Sequence, residues 1–356
     1  MATVDYKREL EDLIEIIINE KGSDIHLSVG AHPIIRVAGS LIPLMKKPIL
    51  TNADALGFVR ALLTKEQEEK FLELHEVDFS FAAKDGVRFR GNGFYQRGSI
   101  SIALRHISNV IRTFEELSLP PVLETFIQRP QGFFLCVGPV GQGKSTTLAA
   151  MIERINQTRS EHIVTIEDPV EYIFEPKMSL IDQREVRVDT VDFYTGLHSA
   201  FRQDVDVIMV GEMRGQETIA TAVTAAETGH LVLSTLHTNN AAQTIDRIID
   251  TFPAGQQDQI RVQLSSSLTA IFSQRLIPSI AGGLVPAYEL LINNSAVSNL
   301  IRERRTHEIQ TVIETGMELG MIDMNRTLVE LVQKGIITVE NAFSHSTNPA
   351  GLERLM

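Results

Sequence analysis

The stretch Gly138-Pro139-Val140-Gly141-Gln142-Gly143-Lys144-Ser145 admits few folds. It stands between an apolar run, Phe133-Phe134-Leu135-Cys136-Val137, and a helix-forming stretch, Thr146-Thr147-Leu148-Ala149-Ala150-Met151. The spacing G-x-x-x-x-G-K-[ST] between a strand and a helix is that of a phosphate-binding loop. Its glycines let the backbone close around an anion with successive N–H groups pointing inward, and the positive end of the helix adds attraction. In this role residues Gly138 to Thr146 cradle the phosphates of a nucleoside triphosphate, Lys144 reaches the β- and γ-phosphates, and Ser145 holds Mg²⁺. A glycine-rich turn with a chance lysine is the alternative, and the flanking strand and helix argue against it.

What surrounds the loop is constrained by composition. The 356 residues, 43% hydrophobic and 22% charged, suit two or three ordered domains. A formal net charge of -12 argues against a partner held by its phosphate backbone, so no nucleic acid is expected. Met1 to Leu10 lack the pattern of a secretory signal, and no apolar run has the length of a membrane span. The single Cys136 sits in the strand before the loop, where a small buried residue is expected. One cysteine makes neither an internal disulfide nor a tetrathiolate zinc site, which points to the cytoplasm.

Before the loop, Leu10, Leu13, Ile14, Ile17 and Ile18 recur at helical spacing across Tyr6 to Glu20. Strands are expected at Ser23 to Leu27 and Pro33 to Val37, with a turn at Ala38-Gly39-Ser40, and helices at Asn52 to Leu63 and Lys65 to Leu74. Alternation returns at Val77 to Phe81, Val87 to Tyr95 and Ile100 to Leu104. Arg88 and Arg90 share a face there, with Arg97 and Arg105 nearby. These arginines form either a solvated basic face or a set aimed at a phosphate outside their own domain. Capping boxes open at Thr64 and Thr113, and Pro120-Pro121 breaks the chain after the second, so a boundary is expected over 106–113.

After the loop, Ile163 to Ile166 is a strand ending in the acids of Glu167-Asp168-Pro169-Val170-Glu171. Asp189 to Phe201 reads as helical, and Val205 to Val210 as a strand ending in Gly211-Glu212-Met213-Arg214. Polar groups at the carboxyl ends of parallel strands face the ligand crevice, so Glu167 and Glu212 are candidate ligand-facing acids. Glu212 is placed to orient or deprotonate an attacking water, unless it only begins a helix. A helix over Ala220 to Glu227 precedes a fourth strand, His230 to Thr235, with His237 just past its end. Neither histidine has a third ligand at metal spacing, so a histidine metal site is not expected. Strands alternating with helices imply an α/β parallel sheet. A long amphipathic stretch from Gln256 to Gln274, a strand at Pro286 to Leu291, and helices at Ala296 to Glu303, Thr306 to Glu314 and Met324 to Lys334 complete the chain.

Together these motifs resemble those of the secretion-superfamily ATPases, most closely the type IV pilus retraction ATPases. The resemblance spans nearly the whole chain. It rests on Ser23 to Leu27, Gly138 to Thr146, Thr165 to Glu171, Gln183-Arg184-Glu185, Val210 to Arg214, Thr224 to His230 with Leu236-His237-Thr238, and Asn299 to Glu303. It implies an N-terminal PAS-like α+β domain (1–105), a linker (106–113), a RecA-like P-loop ATPase core (114–275) and a C-terminal, mainly helical subdomain (276–356). It further implies a homohexameric ring hydrolysing ATP with Mg²⁺, peripheral to the inner membrane and acting on a pilus platform protein and, indirectly, on pilin.

Carried over by position, Glu212 resembles the catalytic glutamate, Glu167 a second acid at the Mg²⁺ and water, and His237 a γ-phosphate contact. Thr221 and His230 resemble subunit-interface contacts, and a ring would let Arg88 and Arg90 reach a neighbour's nucleotide. Val140 and Gln142 replace the family's Thr and Ser, and Val297 and Ser298 depart from its retraction-associated box. Assembly ATPases for extension commonly carry a tetracysteine zinc site and a longer N-terminal region, so the resemblance favours retraction. An assembly ATPase for pilus extension or type II secretion, and a nucleotide-gated accessory subunit of another motor, are the alternatives.

Overall fold

The computed structural model describes residues 4–37, 39–83, 86–107 and 110–356. Its chain forms two compact units: Met1–Val110 with the short segment Glu171–Ile173, and Ile111–Val170 with Phe174–Met356.

The first unit is α+β. Helix α1 (Tyr6–Asn19) starts where the Asp5 side chain accepts from the N–H groups of Lys7 and Arg8, and it buries the expected stripe of Leu10, Leu13, Ile14 and Ile17. Strands β1 (Asp24–Ser28), β2 (Ile34–Val37) and β3 (Ser40–Pro43) precede α2 (Asn52–Leu62) and α3 (Lys65–Leu74), both opened by reciprocal capping boxes. Strands β4 (Glu76–Ala82), β5 (Arg88–Gln96) and β6 (Ser99–Ile107) complete an antiparallel sheet in the order β3-β2-β1-β6-β5-β4. One face carries Ile25, Leu27, Phe89 and Leu104 into a core shared with Phe58 and Phe71 of the helices. Gly39 takes a left-handed φ of 85° at the expected turn, whereas Ala38 lies outside the described residues. Ser108 and Asn109 of the expected linker also lie outside them.

The other face of this sheet explains how its arginines differ. Asp24 pairs in register with Arg36 and Arg105, and Arg105 in turn with Arg90. Burial pushes the Asp24 carboxyl up, but the Ser23 hydroxyl and the Arg105 guanidinium, bonded at 3.0 Å, outweigh it and hold the group below the usual carboxylate range. Arg97, at φ 50°, makes the β5–β6 turn with Gly98. Arg88 and Arg90 point to one face of β5, and neither has an ion-pair partner among the described residues.

The second unit is a RecA-like α/β core. Its elements are α4 (Leu123–Ile127), β7 (Gly132–Val137), α5 (Lys144–Thr158), β8 (His162–Glu167), β9 (Leu180–Glu185), α6 (Phe193–Ala200), β10 (Val207–Val210), α7 (Gln216–Glu227), β11 (Leu231–Leu236), α8 (Ala241–Asp250), α9 (Ala254–Ser267), β12 (Leu268–Pro278) and β13 (Leu284–Ile292). Helices α10 (Ser295–Arg302), α11 (Ile309–Thr315), α12 (Met324–Gln333), α13 (Val339–His345) and α14 (Pro349–Leu355) follow. The sheet order is β13-β12-β7-β11-β10-β8-β9, parallel throughout except for the antiparallel edge strand β13. Its interior strands are buried end to end, as parallel strands covered on both faces must be. Helices α12 to α14 close a smaller apolar cluster over Ile277 and Ala287 of the β12–β13 hairpin.

Four expectations are corrected here. The stretch Gln256 to Gln274 is not one helix, because α9 ends at Ser267 and Leu268 begins β12, which pairs with β7. The division after residue 275 accordingly falls inside a strand of the core sheet. Helix α6 begins at Phe193 rather than Asp189, because Asp192 caps it by accepting from Thr195 N at 2.7 Å while Asp189 instead accepts from Glu185 N. The Thr113 box forms its two reciprocal bonds with Glu116, but they open a turn that ends at Ser118, φ 53°, and not a helix.

Candidate active site

The carboxyl ends of four adjacent strands meet at one level. Gly138 N bonds to Leu236 O as β7 and β11 end, Gly211 N bonds to Ile166 O as β10 and β8 end, and Thr235 Oγ1 donates to Gly211 O. The residues that follow these ends are the phosphate loop, His237, Glu212 and, as the last residue of β8, Glu167. The sheet alone therefore brings together candidates spread over a hundred positions.

The loop is held in an open curl by left-handed glycines, Gly141 at φ 77° and Gly143 at φ 76°. Gly143 caps α5 without a side-chain bond, so the positive end of that helix opens directly onto the loop. Gly138 is required for closeness as well, since a Cβ there would stand 2.4 Å from Gln274 O. Sequence reasoning missed Gln274, which lies on the strand misread as helix. Its buried side chain accepts from Thr147 Oγ1 at 2.7 Å and donates to Gln142 O at 2.8 Å, while the Gln142 side chain accepts from Leu276 N. Gln142, a departure from the family's usual residue, thus pins the loop to β12. Val140 is 80% exposed and takes no part in that clamp.

Lys144 is buried, and its Nζ donates to Gly138 O at 2.9 Å and Pro139 O at 2.8 Å. The same ammonium lies 3.2 Å from His237 Nδ1, His237 Nε2 lies 3.6 Å from Glu212 Oε2, and Arg214 pairs with the other Glu212 oxygen. Burial and the Lys144 charge push the His237 imidazole below its ordinary value, against the pull of Glu212. A neutral ring beside a cation can accept from it, and Glu212 keeps a carboxylate oriented at the end of this chain. Glu167 is 6% exposed; it accepts from Thr165 Oγ1 at 2.6 Å and from Gln183 Nε2 at 3.3 Å. Its register partner on β9 is the buried Glu185, a second carboxylate that the motif Gln183-Arg184-Glu185 carries without local spacing to mark it as facing the site.

The remaining candidates lie elsewhere. Thr221 bonds back to Glu217 O within α7, and His230 Nδ1 lies 3.0 Å from Ala225 O with its ring against Phe201. Arg88 and Arg90 belong to the other unit. Cys136 is fully buried in β7, where burial pushes its thiol up to about 12.

A fold of this kind, with a phosphate loop, two strand-end acids and a histidine on neighbouring strands, defines a P-loop ATPase. The family model for "Type II/IV secretion system protein" matches residues 5–318. The chain is 44% identical over 334 residues to the type IV pilus retraction ATPase PilT of Pseudomonas aeruginosa, covering 94% of this chain and 97% of that protein. It is 40% identical to the type IV pilus ATPase PilU of the same organism, over 98% of this chain and 91% of the other. A crystal structure of the pilus retraction motor PilT with bound ADP superposes with a TM-score of 0.91 at 47% identity, covering 96% of this chain and 98% of that one. The chain belongs to the type II/IV secretion system ATPases and is an ATP-hydrolysing enzyme of that family.

Proposed function

We propose that this chain is a homohexameric motor whose ATP hydrolysis powers type IV pilus retraction, acting at the cytoplasmic face of the inner membrane on a platform protein and through it on pilin. The observation that carries the reading is the Lys144–His237–Glu212 chain beside the phosphate loop, in a protein 44% identical over nearly its whole length to a pilus retraction ATPase. Among the described residues no helix is long and apolar enough to cross a membrane.

The loop from Gly138 to Thr146 binds the phosphates of ATP, and Ser145 with the nucleotide's own oxygens holds Mg²⁺, which needs few protein ligands. The fit is favourable: the loop curls through left-handed glycines at a helix start, and buried Glu167 stands at the same edge of the sheet, at the end of β8 with β11 and β10 between it and β7. Bound there, Mg²⁺ would supply charge stabilisation for the phosphoryl transfer. Glu212 orients or deprotonates the water, Glu167 assists at the metal side, and His237 contacts the γ-phosphate. Arg88 and Arg90 of a neighbouring subunit complete the site, and Thr221 and His230 lie at the subunit boundary. Closure of one subunit's N-terminal domain on ATP, and reopening after hydrolysis, drives the pilin subunits back.

The test is ATP turnover of the purified protein beside Lys144→Ala and Glu212→Gln. Both variants are expected to fall to background, and a parent no faster than Glu212→Gln leaves the accessory reading standing. Mixing Arg88→Ala with Glu212→Gln subunits should restore turnover above either homomer, and a flat mixing curve removes the arginines from the neighbour's site. In cells, deletion should leave piliated, non-retracting bacteria, whereas bald cells would favour the extension reading.

A further inference from the structure

The strand that clamps the phosphate loop also grips the loop carrying His237. On β12, Gln274 and Arg275 are consecutive, so their side chains leave opposite faces of the strand. Gln274 bonds to Thr147 and Gln142 O, and Arg275 Nη2 donates to Asn239 Oδ1 at 3.0 Å. Asn239 lies two residues past His237, in a segment with no regular structure between β11 and α8. The far end of the segment is held as well, because Ala241 N donates to Glu289 Oε1 on β13 at 2.9 Å. Arg275 has no carboxylate partner among the described residues, and its Nε is buried without an acceptor. Arg275 is half-buried, with Nε shut off from solvent while Nη2 meets Asn239 at the surface, so an orientation that buries Nε without an acceptor costs solvation that a fully exposed rotamer would retain. Its one bond to Asn239 is therefore the contact that accounts for its orientation.

We propose that Arg275 is a positioning residue for ATP hydrolysis: through Asn239 it sets where His237 stands relative to Lys144 and the γ-phosphate. The β12–β13 hairpin thereby holds both loops of the site in one frame, Gln274 the phosphate loop and Arg275 with Glu289 the histidine loop. The proposal rests on the reading of His237 as a γ-phosphate contact. A displaced His237 costs rate in the reacting complex while the phosphate loop, clamped separately by Gln274, keeps its grip on nucleotide.

The experiment uses the full chain with Arg275→Ala, the surface variant Asn239→Ala, His237→Ala and the two double variants with His237→Ala. Arg275→Ala and Asn239→Ala should each lower kcat about tenfold with KM for ATP changed less than about threefold. Neither double variant should be slower than His237→Ala alone, because residues acting through one another do not add. Losses that multiply in the doubles overturn the proposal, as does an Asn239→Ala enzyme with parental kcat. If His237→Ala itself turns over at the parental rate, the γ-phosphate reading of His237 has failed, and the position of the ring is then read directly. Histidine-selective NMR would show the His237 titration displaced in Arg275→Ala and Asn239→Ala, and a titration superimposed on the parent's overturns the positioning role.

Discussion

Lys144 Nζ lies 3.2 Å from Nδ1 of His237, ninety-three positions further along the chain. An ammonium has only protons to offer, so Nδ1 carries the lone pair and Nε2 the proton, directed toward Glu212 Oε2 at 3.6 Å. The tautomer follows from the partners, and it makes the neutral imidazole an electrostatic relay between the lysine of the phosphate loop and the acid at the end of β10.

The His237 ring should titrate below the ordinary histidine value, because burial first, and the Lys144 charge next, disfavour its protonated form. Lys144→Met should therefore raise the midpoint, and Glu212→Gln, which removes the one nearby anion pulling the other way, should lower it further. Histidine-selective NMR between pH 4.5 and 8 measures both. A Lys144→Met midpoint that does not move breaks the link.

Gly138→Ala should abolish nucleotide binding. Its new methyl would stand 2.4 Å from Gln274 O, a backbone atom of a buried strand that cannot turn aside, and φ 150° adds strain for any side chain. Gly255→Ala is the control: nothing lies within 4 Å of its Cβ position in the first turn of α9. Alanine there should leave nucleotide affinity unchanged and stabilise the helix by about 0.5–1 kcal/mol. Titration with a fluorescent ADP analogue and thermal melts separate the two.

Stability of the core unit should decline as pH rises from about 4.5 to about 7, because burial pushes the Glu289 carboxyl up to about 7 despite the Ala241 N–H bond, and Asp323 pushes it the same way. In that window the native carboxyl keeps a proton that the unfolded chain has released, so each step upward in pH favours unfolding. The cost, fully developed above pH 7, is about 3 kcal/mol. Glu289→Gln keeps an acceptor for Ala241 and should flatten the profile, gaining stability at pH 8 and none at pH 4. Urea midpoints across this range check it, and a variant curve parallel to the parent's would count against the assignment.

Cys136 should be inert in the native protein. Its thiol is buried in β7 and pushed up to about 12, leaving almost no thiolate at neutral pH. A thiol reagent in excess should label it only on unfolding, with the labelling rate rising in step with denaturant. Rapid labelling of the folded protein would contradict this burial.

Much of the fold was legible because local chemistry and tertiary structure agree. Helix α1 follows from its apolar spacing and α3 from the Thr64 box, and the phosphate loop lies between a buried strand and a helix as its spacing requires. The Thr113 box shows the limit, since both capping bonds form but Ser118 at positive φ ends the turn before a helix can propagate. The junction of α9 and β12 was the costlier misreading. Ile260, Leu264, Leu268 and Ile271 keep a helix-like spacing across it, and Leu268 to Ser273 are all buried, so β12 shows no alternation to betray a strand.

The amino-acid sequence by itself therefore determined that this protein closes a loop around phosphate, where α1, α2 and α3 start, and that acids and a histidine stand at strand ends, because each of these rests on residues near one another in the chain. Only the tertiary structure decided which strand ends are neighbours. It set the register that brings Glu167 to the level of Gly211 and His237 to Lys144, and it placed Gln274 and Arg275 on a strand beside β7. The physical reason is that pairing order in a parallel sheet is chosen by helices packing across both faces, and no short window of sequence contains that packing.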